Sequence, residues 1–238
     1  MHRQTFPGVH KMLGEFGANL AQTGRRSTGR RRFLTGMGGA VVLGGVAACT
    51  SSKSKRGASI PAPISGSSGG KYVGDLKVVA LAAALENLAV TVYQGGLVKA
   101  AKGQLGTVPP ALASFITTAM GQHRDHATAW NGVLTKAGKS AISGAPLTIT
   151  QDHIALLNAA RSVPDLARLA LALENAAAET YTFAAGTVTD AGAIMTAATI
   201  QPVETMHAAI LSFVLGQYPV PVSFIGTSNA VAPSALTA

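Results

Sequence analysis

The sequence predicts an all-α fold, an antiparallel four-helix bundle with a long crossover between its second and third helices. Four long segments carry apolar residues at alternating steps of three and four, which keeps them on one stripe of a helix. The segments form two similar pairs, because Glu86 with Tyr93 recurs as Glu174 with Tyr181, each glutamate within a Leu-Glu-Asn triplet. Short connections within the pairs and a long one between them are typical of a bundle built from two hairpins.

Residues 1–48 have the pattern of a twin-arginine lipoprotein signal peptide. Arg30 and Arg31 precede an apolar stretch, which at about 15 residues is too short to span a membrane. Cys49, the single cysteine of the chain, follows this stretch in a setting that resembles a bacterial lipobox. We therefore expect Cys49 to be lipidated. The alternative is an ordinary signal peptide cleaved near Ala48, with Cys49 an incidental thiol.

Residues 49–71 are rich in serine, glycine and proline without an apolar period, which predicts a flexible tether. The net charge of +9 is concentrated before residue 72, and eight basic and nine acidic residues follow that point. The near-neutral globular part therefore gives no nucleic-acid surface. These features predict an exported protein of the cell envelope, carried by the twin-arginine export machinery. We expect Cys49 to anchor it to the outer face of the bacterial cell membrane.

The first hairpin and the crossover follow the tether. Helix A is predicted over 75–101, with Asp75 as an acceptable N-cap. Helix B is predicted over about 110–138, with proline in the first turn and glycine at the end. The long connection 138–163 contains a further short segment of helical character at 151–160.

The second hairpin completes the predicted bundle, which spans residues 72–218. Helix C is predicted over about 164–186, and helix D follows Asp190 and ends at Gly216. The tail 219–238 has no lasting period, so we expect it to pack over the bundle or to fray.

Three of the nine acidic residues after residue 72 lie on stripes that are otherwise apolar. Burying an unpaired carboxylate costs several kcal/mol, and a divalent cation compensates several carboxylates at once. The pairs His123-x-x-His126 and Glu204-x-x-His207 each project from one side of a helix. Four-helix bundles that hold two metal ions have a glutamate on the first helix of each hairpin and Glu-x-x-His on the second. This chain has the same pattern, with histidine replacing one glutamate. The predicted metal ligands are Glu86, His123, His126, Glu174, Glu204 and His207.

Imidazole and carboxylate together suit iron, manganese or zinc, whereas a set of oxygen ligands alone suits calcium or magnesium. Tyr93 and Tyr181 each lie seven residues after a predicted glutamate ligand, within about 20° of the same helix face. Each tyrosine is therefore expected to hydrogen-bond a carboxylate ligand from one layer away.

Five other side chains near these motifs are expected to lie outside the site. Asp125 faces outward, and Glu179 is turned toward a neighbouring helix or solvent. Gln122 reaches the site only if helix B is rotated. His153 is expected on the surface of the crossover, and Trp130 in the core below the site.

With these motifs the chain resembles the ferritin-like superfamily, in particular exported ferritin-like domain proteins of the desiccation-related type. The resemblance covers about residues 72–216. It implies a bundle with a carboxylate-bridged di-iron site, and in the di-metal members the chemistry is oxidation of ferrous iron or reduction of oxygen and peroxide. The residues that carry it are Asp75-Leu76, Leu85-Glu86, Tyr93, His123, His126, Leu173-Glu174, Tyr181, Glu204 and His207.

The chain departs from this family at His123, where the di-metal members have a bridging glutamate. Three outcomes stay open from the sequence: two metal ions with fewer bridges, one ion of iron or manganese, or a vestigial site. The competing hypothesis is a metal-free helical lipoprotein with a structural or stress-related role in the cell envelope. In that case the same polar residues form a self-satisfied hydrogen-bond network.

Overall fold

The computed structural model describes residues 71–238. The predicted signal peptide with Arg30 and Arg31 lies outside the described residues, as does the predicted tether with Cys49 except for Lys71. Within the described part the fold is helical, as the sequence predicts, with one isolated β-bridge. The helices are α1 (Asp75–Ala101), α2 (Pro110–Lys136), α3 (Thr150–Ala159), α4 (Val163–Thr187) and α5 (Ala191–Val214), followed by a 3-10 turn at Pro233–Ala235.

The four long helices pair as two hairpins, α1 with α2 and α4 with α5. The hairpins meet where α1 packs on α4 and α2 packs on α5, and the crossover helix α3 lies against α1 and α4. Tyr93 of α1 contacts Glu174 of α4, whereas Tyr181 of α4 contacts Glu86 of α1. Since the numbering rises along one helix and falls along the other, α1 and α4 are antiparallel.

Helix α1 lies at the centre of the core. Its residues from Val78 to Glu86 are buried without interruption, and most of them are alanine, valine or leucine. Among the described residues α1 is the one helix long and apolar enough to cross a membrane, but 72% of its most apolar window is buried inside the bundle. An apolar helix surrounded by other helices is the expected centre of a large helical core.

The helix ends explain how the two hairpins are held in register. The sequence predicted Asp75 as the N-cap of α1. Asp75 is instead the first residue of the helix, because Gly74 at φ 54° occupies the cap position. The Asp75 carboxylate instead accepts hydrogen bonds from the N–H groups of Thr189 and Asp190, at 2.7 and 3.0 Å. Asp190 in turn caps α5 by accepting from the N–H of Ala193 at 2.8 Å. One carboxylate therefore ties the start of α1 to the turn between α4 and α5.

The C-terminal tail packs over the bundle, which is one of the two outcomes expected from the sequence. Leu236 is buried and forms an antiparallel bridge with Leu147 of the crossover. Further along α4, the Val231 N–H donates to Thr180 Oγ1 at 2.9 Å, and the Asn229 N–H donates to Glu179 Oε2 at 2.6 Å. The tail thus fastens the crossover to α4 on the outside of the core.

Candidate metal centre

The six side chains predicted as ligands converge from all four long helices at the middle of the bundle. The three glutamates and His123 are at most 1% exposed, and the His126 side chain, at 12%, is the most exposed of the six. The donor atoms form two overlapping groups, and within each group they lie within 4.8 Å of one another. One group is Glu86, His123, His126 and Glu204, and the other is His123, Glu174, Glu204 and His207.

Two tyrosines hold two of the glutamates in a crosswise arrangement. The Tyr93 hydroxyl donates to Glu174 Oε1 at 2.5 Å, and the Tyr181 hydroxyl donates to Glu86 Oε1. Burial and the adjacent carboxylates raise the pKa of both tyrosines well above the ordinary value, so both remain protonated donors. Each tyrosine therefore orients a carboxylate on the opposite helix rather than on its own.

His123 contacts carboxylates with both sides of its ring. Its Nδ1 lies 2.8 Å from Glu86 Oε2, and its Nε2 lies 3.1 Å from Glu174 Oε1. Burial acts to lower the pKa of His123, but the carboxylates of Glu174 and Glu86 raise it well above the ordinary value. Without a bound cation the ring therefore carries both protons and donates one to each glutamate.

Glu204 has the least satisfied side chain of the site. It is fully buried, and neither of its carboxylate oxygens has a hydrogen-bond partner. His126 Nδ1 lies 2.8 Å from Glu204 Oε1, but this contact is not aligned as a hydrogen bond, and Nδ1 is also without a partner. Burial and the nearby carboxylate of Glu86 raise the pKa of Glu204 to about 7.

These unpartnered atoms fit a metal ion. Among the described residues four buried side-chain nitrogen or oxygen atoms lack a hydrogen-bond partner, and three of them belong to Glu204 and His126. Buried polar atoms are normally paired, and metal ligands approach one another closely while their lone pairs point to a common centre. The donor set of three carboxylates and three imidazoles suits iron, manganese or zinc. Since both groups contain His123 and Glu204, the residues fit one ion or two.

Gln122 belongs to the site, contrary to the expectation that it reaches the site only in a rotated helix B. Its Oε1 accepts a hydrogen bond from His207 Nε2 at 2.7 Å. The opposite nitrogen, Nδ1, consequently faces inward, 3.3 Å from Glu174 Oε2. The sequence contains a signal for this role, because Gln122 lies four residues before His126 and hence near the same side of α2.

The family assignment rests on the sequence of the same helices. The family described as ferritin-like domain matches residues 74–217, more than half of the chain. The chain belongs to this ferritin-like domain family. No curated protein and no solved structure matches the chain.

The remaining predicted neighbours of the ferritin-like site lie outside the donor groups. Asp125 is exposed on the outer face of α2, and Glu179 binds the tail. His153 is half-buried in α3, where its Nδ1 donates a hydrogen bond to the Ile149 carbonyl oxygen. Trp130 stacks on Tyr181 with ring centroids 5.6 Å apart, next to the site.

Phe115 is a neighbour of the site that the sequence analysis did not single out. Its ring meets Tyr93 edge-on at 6.4 Å between centroids and His207 edge-on at 5.9 Å. It therefore covers one end of the donor cluster with an apolar surface. An aromatic ring on a helix gives no sequence signal that separates this role from ordinary core packing.

Proposed function

We propose that this ferritin-like protein is exported, anchored to the outer face of the cell membrane through a lipid on Cys49, and binds one or two iron or manganese ions in its core. We further propose ferroxidase or peroxide-consuming activity at that centre. The observation that carries metal binding is Glu204, a fully buried carboxylate with two unpartnered oxygens beside the unpartnered Nδ1 of His126. The twin-arginine pattern at Arg30 and Arg31 is the support for export.

The residues have separable tasks in this proposal. Glu86, His126 and Glu204 would hold an ion on one side of His123, and Glu174, Glu204 and His207 would hold an ion on the other. A bound iron or manganese ion would supply the redox step between the ion and oxygen or peroxide. Tyr93 and Tyr181 keep two of the carboxylates aimed inward through their hydrogen bonds.

The route to the centre follows from exposure. The His126 side chain is 12% exposed, whereas the carboxylates of Glu86, Glu174 and Glu204 are at most 1% exposed. Ions and small oxidants would therefore enter along α2 at His126. The core around the other ligands excludes bulk water, which strengthens each carboxylate–cation interaction.

A second function, a metal-free structural role in the cell envelope, is favoured by the hydrogen bonds around Glu86 and Glu174. Each of these carboxylates is hydrogen-bonded by one tyrosine and by His123. Burial acts to raise the pKa of Glu174, but the charge and hydrogen bond of His123 keep it well below the ordinary value. Three protonated histidines would balance three carboxylates. The unpartnered oxygens of Glu204 are the feature that this closed network leaves unexplained.

Metal content of the full chain tests the proposal. The protein is produced in iron- and manganese-supplemented medium, and bound metals are measured by elemental mass spectrometry. We expect one to two ions per chain, lost in the Glu174→Ala/Glu204→Ala variant and retained in Asp125→Asn, which removes a charge from the exposed face of α2. A protein that is helical and free of metal under all conditions supports the structural role instead.

Export and anchoring are tested separately from metal binding. Replacing Arg30 and Arg31 by lysine is expected to stop export, and Cys49→Ser is expected to release the exported protein from the membrane fraction. Immunoblots of cytoplasmic, membrane and soluble exported fractions measure both effects. A Cys49→Ser protein that stays in the membrane fraction contradicts the lipid anchor.

A further inference from the structure

We propose that His123 bridges two metal ions through both nitrogens of its ring, in place of a bridging carboxylate. This inference rests on the proposed metal binding and adds that the centre holds two ions with an imidazole between them. It assigns to His123 a different task from those of His126 and His207.

The two nitrogens of His123 face different donor groups. Nδ1 lies 2.8 Å from Glu86 Oε2 and 3.8 Å from Glu204 Oε2, on the side of the first group. Nε2 lies 3.1 Å from Glu174 Oε1, on the side of the second group. Each nitrogen therefore lies at ligand-to-ligand distance from a carboxylate that belongs to only one of the two groups.

The other two histidines lack this symmetry. His207 turns Nδ1 toward Glu174, while its Nε2 is occupied by Gln122 at 2.7 Å. His126 turns Nδ1 toward Glu204, and it is the most exposed histidine of the three. Each of these rings therefore offers one nitrogen to the centre, which is what a terminal ligand needs. His123 offers both nitrogens.

The surroundings of His123 hold its ring in this orientation. The side chain is 1% exposed, and its ring lies 5.3 Å from the Tyr93 ring at an angle of 33°. The rings of His126 and His207 meet it at steep angles, with centroids 5.9 and 5.2 Å away. A ring packed on several sides cannot swing one nitrogen out to solvent, so both nitrogens stay directed at carboxylates.

The proton balance of this arrangement is defined. With no cation bound, the ring donates one proton to Glu86 and one to Glu174. When two ions bind, each nitrogen gives its lone pair to one ion, and both ring protons leave to the solvent. The bridging ring then carries one negative charge and replaces the charge of the absent glutamate.

A bridging ring also fixes the distance between the ions. Metal–nitrogen bonds of about 2.0–2.1 Å on both sides of an imidazole place the ions about 6 Å apart, against about 3.5–4 Å in ordinary two-metal sites. The separation therefore distinguishes a ring bridge from a pair of ions held by carboxylates alone.

The experiment loads the full chain with Mn²⁺ and measures ions per chain, the two affinities by calorimetry, and the surroundings of the metal by X-ray absorption. We expect two ions, a scattering pattern of imidazole, and no metal–metal vector below 4 Å. In His123→Glu we expect two ions with a vector near 3.5–4 Å. Circular dichroism verifies that each variant is folded.

Paired substitutions separate a bridge from a terminal ligand. His123→Gln is expected to lower the affinity for both ions at least tenfold. His207→Gln is expected to lower the affinity for one ion and to leave the affinity for the other close to its original value. Two ions with a vector below 4 Å in the unsubstituted protein overturn the bridge, and so does a single bound ion, while both results leave metal binding intact. If the protein binds neither Mn²⁺ nor iron nor any other transition metal, the proposed metal binding itself is overturned.

Discussion

Replacing Glu204 by glutamine exchanges one oxygen for an NH₂ group and removes a fully buried charge. The substitution costs no aligned hydrogen bond, because neither oxygen of Glu204 has a hydrogen-bond partner. It does remove the 2.8 Å ion-pair contact with His126, whose effect is already included in the pKa of Glu204. Its effect on stability should therefore report chiefly on the charge. We expect Glu204→Gln to stabilise the metal-free protein at alkaline pH and to destabilise the metal-loaded protein relative to the original chain.

The magnitude follows from the pKa of Glu204, which burial and Glu86 raise from 4.5 to about 7. A factor of ten in proton affinity corresponds to about 1.4 kcal/mol, so ionising this carboxyl in the fold costs about 3 kcal/mol more than in the unfolded chain. The folded carboxyl binds a proton more tightly than the unfolded one does. Its contribution to the free energy of unfolding is therefore fully present below pH 4.5 and is lost as the pH rises through 7. Glutamine avoids this loss. A free metal concentration of 1,000 times the Kd adds about 4 kcal/mol to the free energy of unfolding. The variant loses most of this stabilisation because it lacks one ligand.

Urea unfolding followed by circular dichroism measures both effects, at pH 4.5 and pH 8, with a chelator or with excess Mn²⁺. From pH 4.5 to pH 8, the free energy of unfolding of the metal-free variant should rise by about 3 kcal/mol relative to that of the original protein. With Mn²⁺ the original protein should be the more stable of the two. Asp125→Asn, which removes an exposed charge from the same region, should change neither comparison by more than about 0.5 kcal/mol. A metal-free Glu204→Gln protein that is less stable at pH 8 than the original would refute the reasoning.

Three further predictions address the histidines, the tyrosines and the tail. Burial acts to lower the pKa of His126, but two neighbouring carboxylates raise it to about 9; the metal-free protein should therefore lose stability from about pH 6.5 through pH 9 in thermal unfolding, and a flat profile contradicts this. Tyr181→Phe leaves a buried carboxylate short of a donor, so we expect a loss of about 1–3 kcal/mol and roughly tenfold weaker metal binding, while Tyr218→Phe on the surface changes neither. Leu236→Ala should cost about 2 kcal/mol and open the tail to limited proteolysis while the metal content stays constant.

The fold could be predicted from the sequence because apolar spacing reports directly on helices that share a core. The spacing that predicts helix D, together with Asp190 before it, corresponds to α5 and its observed cap. The prediction of Asp75 as an N-cap was wrong for a physical reason. Gly74 occupies the cap with a positive φ of 54°, which frees the Asp75 carboxylate to bind Thr189 and Asp190. A contact between residues so distant in sequence leaves no local signal.

The side of each helix that faces the site could also be predicted, since residues three, four or seven apart share a face. The partner of each tyrosine could not. Helical spacing places Tyr93 near the face of Glu86, but its hydroxyl extends across the bundle to Glu174. The length of a tyrosine side chain and the distance between helices decide that contact, and neither appears in a sequence pattern. The role of Gln122 was missed for a related reason, because small rotations of α2 decide whether position 122 faces inward.

Histidine at position 123 changes what the core can tolerate. With a fourth glutamate the site would hold four carboxylates against two imidazoles, and without cations two negative charges would lack a partner in the low-dielectric core. With histidine there, three carboxylates face three imidazoles, and three protons suffice to balance the charge. Glu86 and Glu174 on either side of His123 raise its pKa, so the ring takes up such a proton readily. Protons and metal ions therefore compete for the same six side chains, and metal affinity should rise with pH over the range in which the metal-free fold loses stability.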